Sequence, residues 1–383
     1  MPAEPRIYLD HAATSPVRPE VVARVAEVLA MVGNPSSVHA EGRAARRVLE
    51  DARAVLAEAT GAGPDEIIFT SGGTEANDLA LSVAAGGAVL VSAIEHASVL
   101  EAAPEALRLP VDRNGLVDLA VLERLLAAAR PALVSVMLVN NETGVVQDIA
   151  AIASCCRKAG ALLHVDAVQG FGKLEGVRVD RLGCDLMTVS AHKLGGPPGT
   201  GALLTRPGLA VPARLRGGGQ EGRRRAGTHH LAGIAGFAEA IRRLDPAEPG
   251  RLEGLRARLE EGVRRLGDAT WVAAARAARA PHIACLVTPG RPAEMQVIRM
   301  DLAGVAISAG AACSSGKVAA SHVLAAMGLG ADAGCGIRVS LGWSSGITEV
   351  DRFLQAFAAQ HGTASNMSNR TGSPLPNPSA VAT

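Results

Sequence analysis

Between residues 66 and 191, short apolar runs ("EIIFT", "AVLVS", "ALVSVMLV", "ALLHVD" and "DLMTVSA") are separated by stretches with apolar positions at helical spacing, near 74–84, 96–106, 118–129 and 148–159. Uninterrupted apolar runs suit strands buried on both faces, so the pattern predicts a mainly parallel sheet covered by helices, an α/β fold. A helix precedes them in "PEVVARVAEVLAMVG", where Val21, Val22, Val25, Val28 and Leu29 share a face. A long helical stretch over about 229–268, broken at "DPAEPG", leads to a second set of signals: "HIACLVT", "AEMQVIRMDLA", "KVAASHVLAAMG", "GIRVSLG" and "EVDRFLQAFAAQ". These predict a smaller α/β lobe. The end, "GTASNMSNRTGSPLPNPSAVAT", is polar and without period, and is expected to be a disordered tail over 363–383.

At 383 residues, 48% of them apolar, the chain can fill two cores. A net charge of +1, with basic residues dispersed apart from Arg223, Arg224 and Arg225, argues against nucleic acid or an anionic membrane as a partner. A small-molecule enzyme fits better. Six cysteines without a CxxC pair resemble neither a disulfide framework nor a zinc site. With no signal-like start and no apolar run of spanning length, the expectation is a soluble protein of the reducing cytoplasm.

Ligands of such sheets gather at the carboxyl ends of the strands, and the chemistry-bearing residues lie there. "GPPGTGAL" has Walker-like glycine spacing, but Ala202 and Leu203 stand where that motif needs Lys and Ser or Thr, so it is no P-loop. Just before it, "VSAHK" ends a strand in Ser190, Ala191, His192 and Lys193. Alone, Lys193 reads as a solvated loop lysine, and Asp166 of "LLHVDAVQG" as a helix cap. Together they supply what pyridoxal phosphate requires: a lysine for the Schiff base and an acid facing the pyridine nitrogen. "FTSGGTEAND" is a strand, a glycine turn and a helix start, where free backbone N–H groups and the helix dipole favour a phosphate. His96 follows another strand in "IEHASV", and Asn141 another in "LVNNETGV"; an imidazole there can stack on a cofactor ring and move protons near neutral pH. His229 and His230 read as structural, and no metal is assigned.

"ISAGAACSSGKV" places Cys313 among small residues. A free cysteine is more commonly a buried packing residue than a nucleophile, and nothing in the stretch itself decides between the two. Cys155, Cys156, Cys184 and Cys285 read as packing residues; Cys335 has no evident role.

Taken together and in order, "YLDHAATSP", "GNPSSVHAEGRAAR", "FTSGGTEAND", "EHASV", "VNNETGVVQDI", "HVDAVQ", "SAHKLGGPPGTGAL", "GGGQEGRRRAGT", "SAGAACSSG" and "IRVSLG" resemble the NifS- and IscS-like cysteine desulfurases, class V aminotransferase relatives of fold type I. The resemblance runs to about residue 362. It implies a large cofactor-binding domain over 15–250 with a mainly parallel seven-stranded sheet. The small α/β domain would comprise 1–14 and 251–362.

It further implies that Lys193 carries pyridoxal 5'-phosphate and that Asp166 faces the ring nitrogen. Gln169 and Asn141 would lie near the phenolic oxygen, with His96 stacked on the ring. The phosphate would be held by Gly73, Thr74, Ser190 and His192, with Thr228 reaching over from the other subunit of a homodimer. Arg338 would anchor the carboxylate of L-cysteine, which Asn141 would also touch.

Cys313 matches the cysteine that takes the substrate sulfur as a persulfide, leaving L-alanine, with Lys193 moving the Cα proton and His96 carrying protons. The 308–317 loop looks like the long form that hands sulfur directly to an acceptor protein such as an iron-sulfur scaffold, where Cys313 would serve as a transient cluster ligand. Lys317 is the one cationic neighbour of Cys313 in that loop. The tail does not resemble the family's partner-docking end, which leaves the acceptor open. A selenocysteine lyase or another class V lyase or transaminase would use the same lysine and aspartate; an inactive scaffold paralogue would not need Lys193, Asp166, His96 and Cys313.

Overall fold

The computed structural model describes residues 5–267, 269–310 and 320–360. Cys313, Lys317 and the 363–383 tail therefore lie outside the described residues. Thirteen strands are described: β1 (Ile7–Tyr8), β2 (Ile67–Thr70), β3 (Val89–Ser92), β4 (Leu107–Leu109), β5 (Leu133–Met137), β6 (Leu162–Asp166), β7 (Leu186–Ser190), β8 (Gly201–Thr205), β9 (Trp271–Val272), β10 (Ile283–Val287), β11 (Val305–Ala306), β12 (Ser308–Ala309) and β13 (Gly336–Ser340).

A seven-stranded sheet runs in the order β2-β8-β7-β6-β5-β3-β4. Strands β7, β6, β5, β3 and β4 pair parallel, whereas β8 pairs antiparallel with both β2 and β7. Strands β5, β7 and β8 are buried throughout, as the uninterrupted apolar runs require when helices cover both faces. A second sheet, β12-β13-β10-β9, is antiparallel, and β1 pairs with β11 beside it. Its core joins Ile7 and Leu9 from the start of the chain to Leu252, Leu259, Ile337, Phe353 and Phe357.

Three differences from the sequence pattern have physical reasons. Helix Ala40–Thr60 escapes the pattern because its buried stripe (Ala45, Leu49, Ala52, Leu56, Ala57) is mostly alanine set among arginines. It is capped by His39, whose Nδ1 accepts from the Gly42 N–H, and ended by Gly61 in the left-handed region. The expected 96–106 helix is one turn, Ala97–Leu100, followed after Pro104 by the short edge strand β4. Strand β8 lies inside the glycine motif, and Gly201 is needed there: a Cβ would come within 2.7 Å of the Gly72 backbone. The break at "DPAEPG" separates helices Leu231–Arg242 and Glu248–Arg265.

Candidate active site

Five loops, at the carboxyl ends of β2, β3, β5, β6 and β7, and the segment after β1 converge on one cavity of about 460 Å³. Its walls include Gly73, Thr74, His96, Asn141, Asp166, Gln169, Ser190, His192, Lys193 and Arg338, all expected there. Thr228 is exposed and not part of that wall, and Cys313 lies outside the described residues. Gly310 and His322, which flank the segment carrying Cys313, do line it.

Lys193 sits in the 3-10 turn Ala191–Leu194 that follows β7, closed by Gly195 at φ 78°. Its Nζ donates to the carbonyls of Ala12 (2.6 Å) and Ala13 (2.7 Å). Burial, with help from the Arg338 charge and against Asp10 and Asp166, lowers its pKa to about 8. Gln169 Nε2 donates to the same Ala12 carbonyl at 2.8 Å.

Asp166, the last residue of β6, accepts from the Val168 N–H at Oδ1 (3.0 Å) and from Asn77 Nδ2 at Oδ2 (2.8 Å). Beneath it, His164 is fully buried between Ser135 and Thr188, and burial lowers its pKa to about 4. That ring is therefore a neutral spacer in the sheet, with no charge to compete with Asp166.

At the other end, helix Gly73–Leu81 begins directly after the glycine turn. Its first N–H groups have no intrahelical acceptors. Beside them, the buried Ser190 Oγ has no hydrogen-bond partner, and a Cβ on Gly73 would stand 3.8 Å from that serine's Cβ. His192 Nδ1 lies 3.2 Å from Thr14 Oγ1, and burial with the neighbouring Lys193 charge lowers its pKa to about 4. An orphaned hydroxyl, a helix start and a neutral imidazole form a donor set matched to a phosphate. With the acceptor Asp166 and the amine of Lys193, the residues present fit pyridoxal 5'-phosphate.

On the wall formed by β13, Arg338 donates through Nη2 to Asp10 Oδ1 (2.8 Å) and through Nη1 to the Asn141 carbonyl (3.0 Å); its buried Nε has no partner. Asp10 also accepts from Ser308 Oγ at 2.7 Å, which braces the guanidinium from behind. The two asparagines of "VNNETG" divide the work. Asn140 shapes the turn, its Oδ1 accepting from the Glu142 and Thr143 N–H groups, while Asn141 lines the cavity.

The sequence pattern did not single out Asp10, Asn77, Ser98 or the Ala12 and Ala13 carbonyls. Asn77 had a detectable signal, a polar residue one helical turn after Gly73 on an otherwise apolar face. Cys155, Cys156, Cys184, Cys285 and Cys335 are buried without disulfides, and burial raises the thiols of Cys156, Cys184 and Cys285 to about 12. His229 donates to Glu221 in a buried cluster away from the cavity. Among the described residues no cluster of potential metal ligands occurs and no helix is long and apolar enough to cross a membrane.

The aminotransferase class-V family profile matches residues 7–353. A cysteine desulfurase IscS of Dictyoglomus turgidum is 39% identical over 79% of this chain and 81% of its own length. The solved NifS-like protein of Rickettsia africae superposes with a TM-score of 0.87 at 34% identity, covering 93% of this chain and 99% of that one. SspA, solved in complex with cysteine, superposes at 0.76 with 29% identity over 87% of this chain and 98% of that one.

Proposed function

The chain belongs to the aminotransferase class-V family, within its cysteine desulfurases, and on that premise we propose that the cavity takes L-cysteine and pyridoxal 5'-phosphate and that Cys313 receives the sulfur. The observation that carries this reading is that Lys193, Asp166 and Arg338 line one cavity. Bound there, the cofactor would supply an electron sink for the substrate's Cα carbanion.

The chain's own residues do the rest. Gly73, Thr74, Ser190 and His192 would hold the phosphate end, Asp166 would accept from the ring nitrogen, and Gln169 and Asn141 would serve the phenolic oxygen. Arg338 binds the substrate carboxylate, a charge-assisted pairing suited to its planar fork. Lys193, with its lowered pKa, releases and takes a proton at Nζ near neutral pH, which lets it remove the Cα proton. His96, on the cavity wall, would pass protons at Nε2. The Cys313 thiolate attacks the substrate sulfur: an S–S bond forms, the Cβ–S bond breaks and its electrons stay with Cβ, which takes up a proton while Cα regains the one it gave up, yielding L-alanine. The Cys313 sulfur and the substrate sulfur each give up one electron formally while Cβ gains two, so no outside oxidant is needed.

Thr228 is exposed on a segment tied down by the Arg225–Glu75 pair (2.7 Å), which supports its reaching the cavity of a second copy in a homodimer. The cluster that joins Ile7 and Leu9 to residues between 252 and 357 supports a small domain over 1–14 and 251–362 beside a large one over 15–250. A reducing cytoplasm suits a reaction that depends on a free thiol, and an acceptor protein, such as an iron-sulfur scaffold, suits a persulfide product.

Purified protein loaded with pyridoxal 5'-phosphate should convert L-cysteine to alanine and carry a Cys313 persulfide that alkylation and mass spectrometry detect. Cys313→Ser should retain the cofactor but form neither persulfide nor sulfide. Wild-type protein that binds the cofactor yet yields neither alanine nor persulfide would refute the reading.

A further inference from the structure

Asn77 lies in helix Gly73–Leu81, is buried, and lines the cavity without belonging to any step described above. One hydrogen of its Nδ2 goes to Asp166 Oδ2 (2.8 Å) and the other to Ser98 Oγ (2.9 Å). The orientation of the amide is dictated by chemistry: an ionised carboxylate only accepts, so the NH2 group, not the carbonyl oxygen, must face Asp166. The buried Oδ1 is consequently left without a partner. Because Ser98 Oγ accepts from Asn77, its own proton is free to go to His96 Nδ1, 2.8 Å away. The Ser98 backbone N–H points at the same nitrogen (3.1 Å). Both donors make Nδ1 an acceptor, so the neutral ring carries its proton on Nε2.

We infer that Asn77 is a positioning residue whose single amide orients Asp166 and, through Ser98, fixes the tautomer of His96, linking the two groups. The inference rests on the reading of Asp166 and His96 as cofactor residues. Opposing donors at Nδ1 also resist a second proton on the ring. The charged and titratable groups facing His96 divide: Asp166 on β6 favours its protonation, while Lys193 and His322 oppose it, and burial dominates to lower its pKa. Asn77 thus orients a carboxylate and sets the tautomer of an imidazole with one group.

The test uses holoenzymes of wild type, Asn77→Ala, Ser98→Ala and Ser98→Thr, assayed for alanine from L-cysteine across pH, with the cofactor absorption band followed in parallel. Asn77→Ala should lower kcat about tenfold, the lower end of what loss of an orienting partner costs a ligating imidazole, with KM little changed. It should also shift the pH midpoint of the cofactor band, because Asp166 loses a donor. Ser98→Ala should leave that midpoint in place and move the acid limb of kcat upward, since Nδ1 loses one of its two donors and the ring protonates more readily. Ser98→Thr, which keeps the hydroxyl, should recover the wild-type acid limb, and the double variant Asn77→Ala/Ser98→Ala should move that limb no further than Ser98→Ala alone. Variants that bind cofactor and match the active wild type in kcat, band and pH profile would overturn the inference alone. Wild type that makes no alanine would overturn both it and the reading beneath it.

Discussion

Lys193 illustrates how a side chain of ordinary chemistry acquires a special task from its surroundings. An unperturbed lysine is almost wholly charged at neutral pH. Here two backbone carbonyls hold the ammonium, but burial outweighs them and brings its pKa down to about 8. If Lys193 carries pyridoxal 5'-phosphate as proposed, only its free amine attacks the aldehyde, so capture of pyridoxal 5'-phosphate by the apoprotein should speed up as pH rises and level off above about 8. Stopped-flow absorbance would follow it, and a midpoint near the ordinary lysine value would show that the site does not perturb this amine. The buried thiols of Cys156, Cys184 and Cys285 move the other way and stay protonated, which leaves them outside sulfur chemistry.

At the scale of elements, the segment carrying Thr228 is anchored by Glu221. Its carboxylate accepts from Arg53 through both terminal nitrogens (2.7 and 3.1 Å), from the Phe69 N–H of β2 (2.9 Å) and from His229 Nε2 (2.7 Å). The backbone at Glu221 is left-handed, φ 48°, a conformation that costs a non-glycine residue on the order of 1 kcal/mol. The four donors hold it there. Burial opposes the charged form, but His229 and Arg53 outweigh it and lower the Glu221 pKa to about 2. A carboxylate with a depressed folded pKa contributes stability above its unfolded value, and loses it as pH falls from about 4.5 toward about 2. Glu221→Ala should therefore cost about 3–5 kcal/mol at neutral pH, the price of leaving Arg53 buried and unpaired. Glu221→Gln should flatten the stability profile between pH 5 and about 2, read by urea unfolding; an unchanged acid profile would refute the assignment.

Across the whole molecule, the site depends on a buried ionic junction between the two cores. Glu248, at the start of helix Glu248–Arg265, accepts from Lys173 Nζ (3.0 Å) and Arg18 Nη2 (3.1 Å). Arg18 also donates to the Leu194 carbonyl (3.1 Å), one residue beyond Lys193, and lies over the Trp343 ring at 5.2 Å. The helix packs on the antiparallel sheet, while Lys173 follows β6 of the large sheet and Arg18 caps helix Pro19–Leu29. Removing Glu248 strands two buried cations, so Glu248→Ala should lower stability by about 3–5 kcal/mol and reduce activity through the Lys193 turn. Urea unfolding and alanine formation measured on the same preparation would check both, and a loss under about 1 kcal/mol would mean that water enters the junction and replaces the carboxylate.

The order of strands and helices was legible because apolar periodicity is a local property of the chain. The same is true of Asp166, Ser190, His192 and Lys193, which end apolar runs and so had to emerge at one edge of the sheet. Strand β8 and helix Ala40–Thr60 were not legible, since glycine spacing masked the first and an alanine stripe among arginines muted the second. Only the tertiary structure brings Ala12 to Lys193, Asp10 to Arg338, Asn77 to both Asp166 and Ser98, and Glu221 to Arg53. Those contacts join residues far apart in sequence, and each depends on the register of strands and on burial, which the local pattern does not encode. The residue types of the site were thus written in the sequence, while their protonation, orientation and bracing are properties of the folded packing.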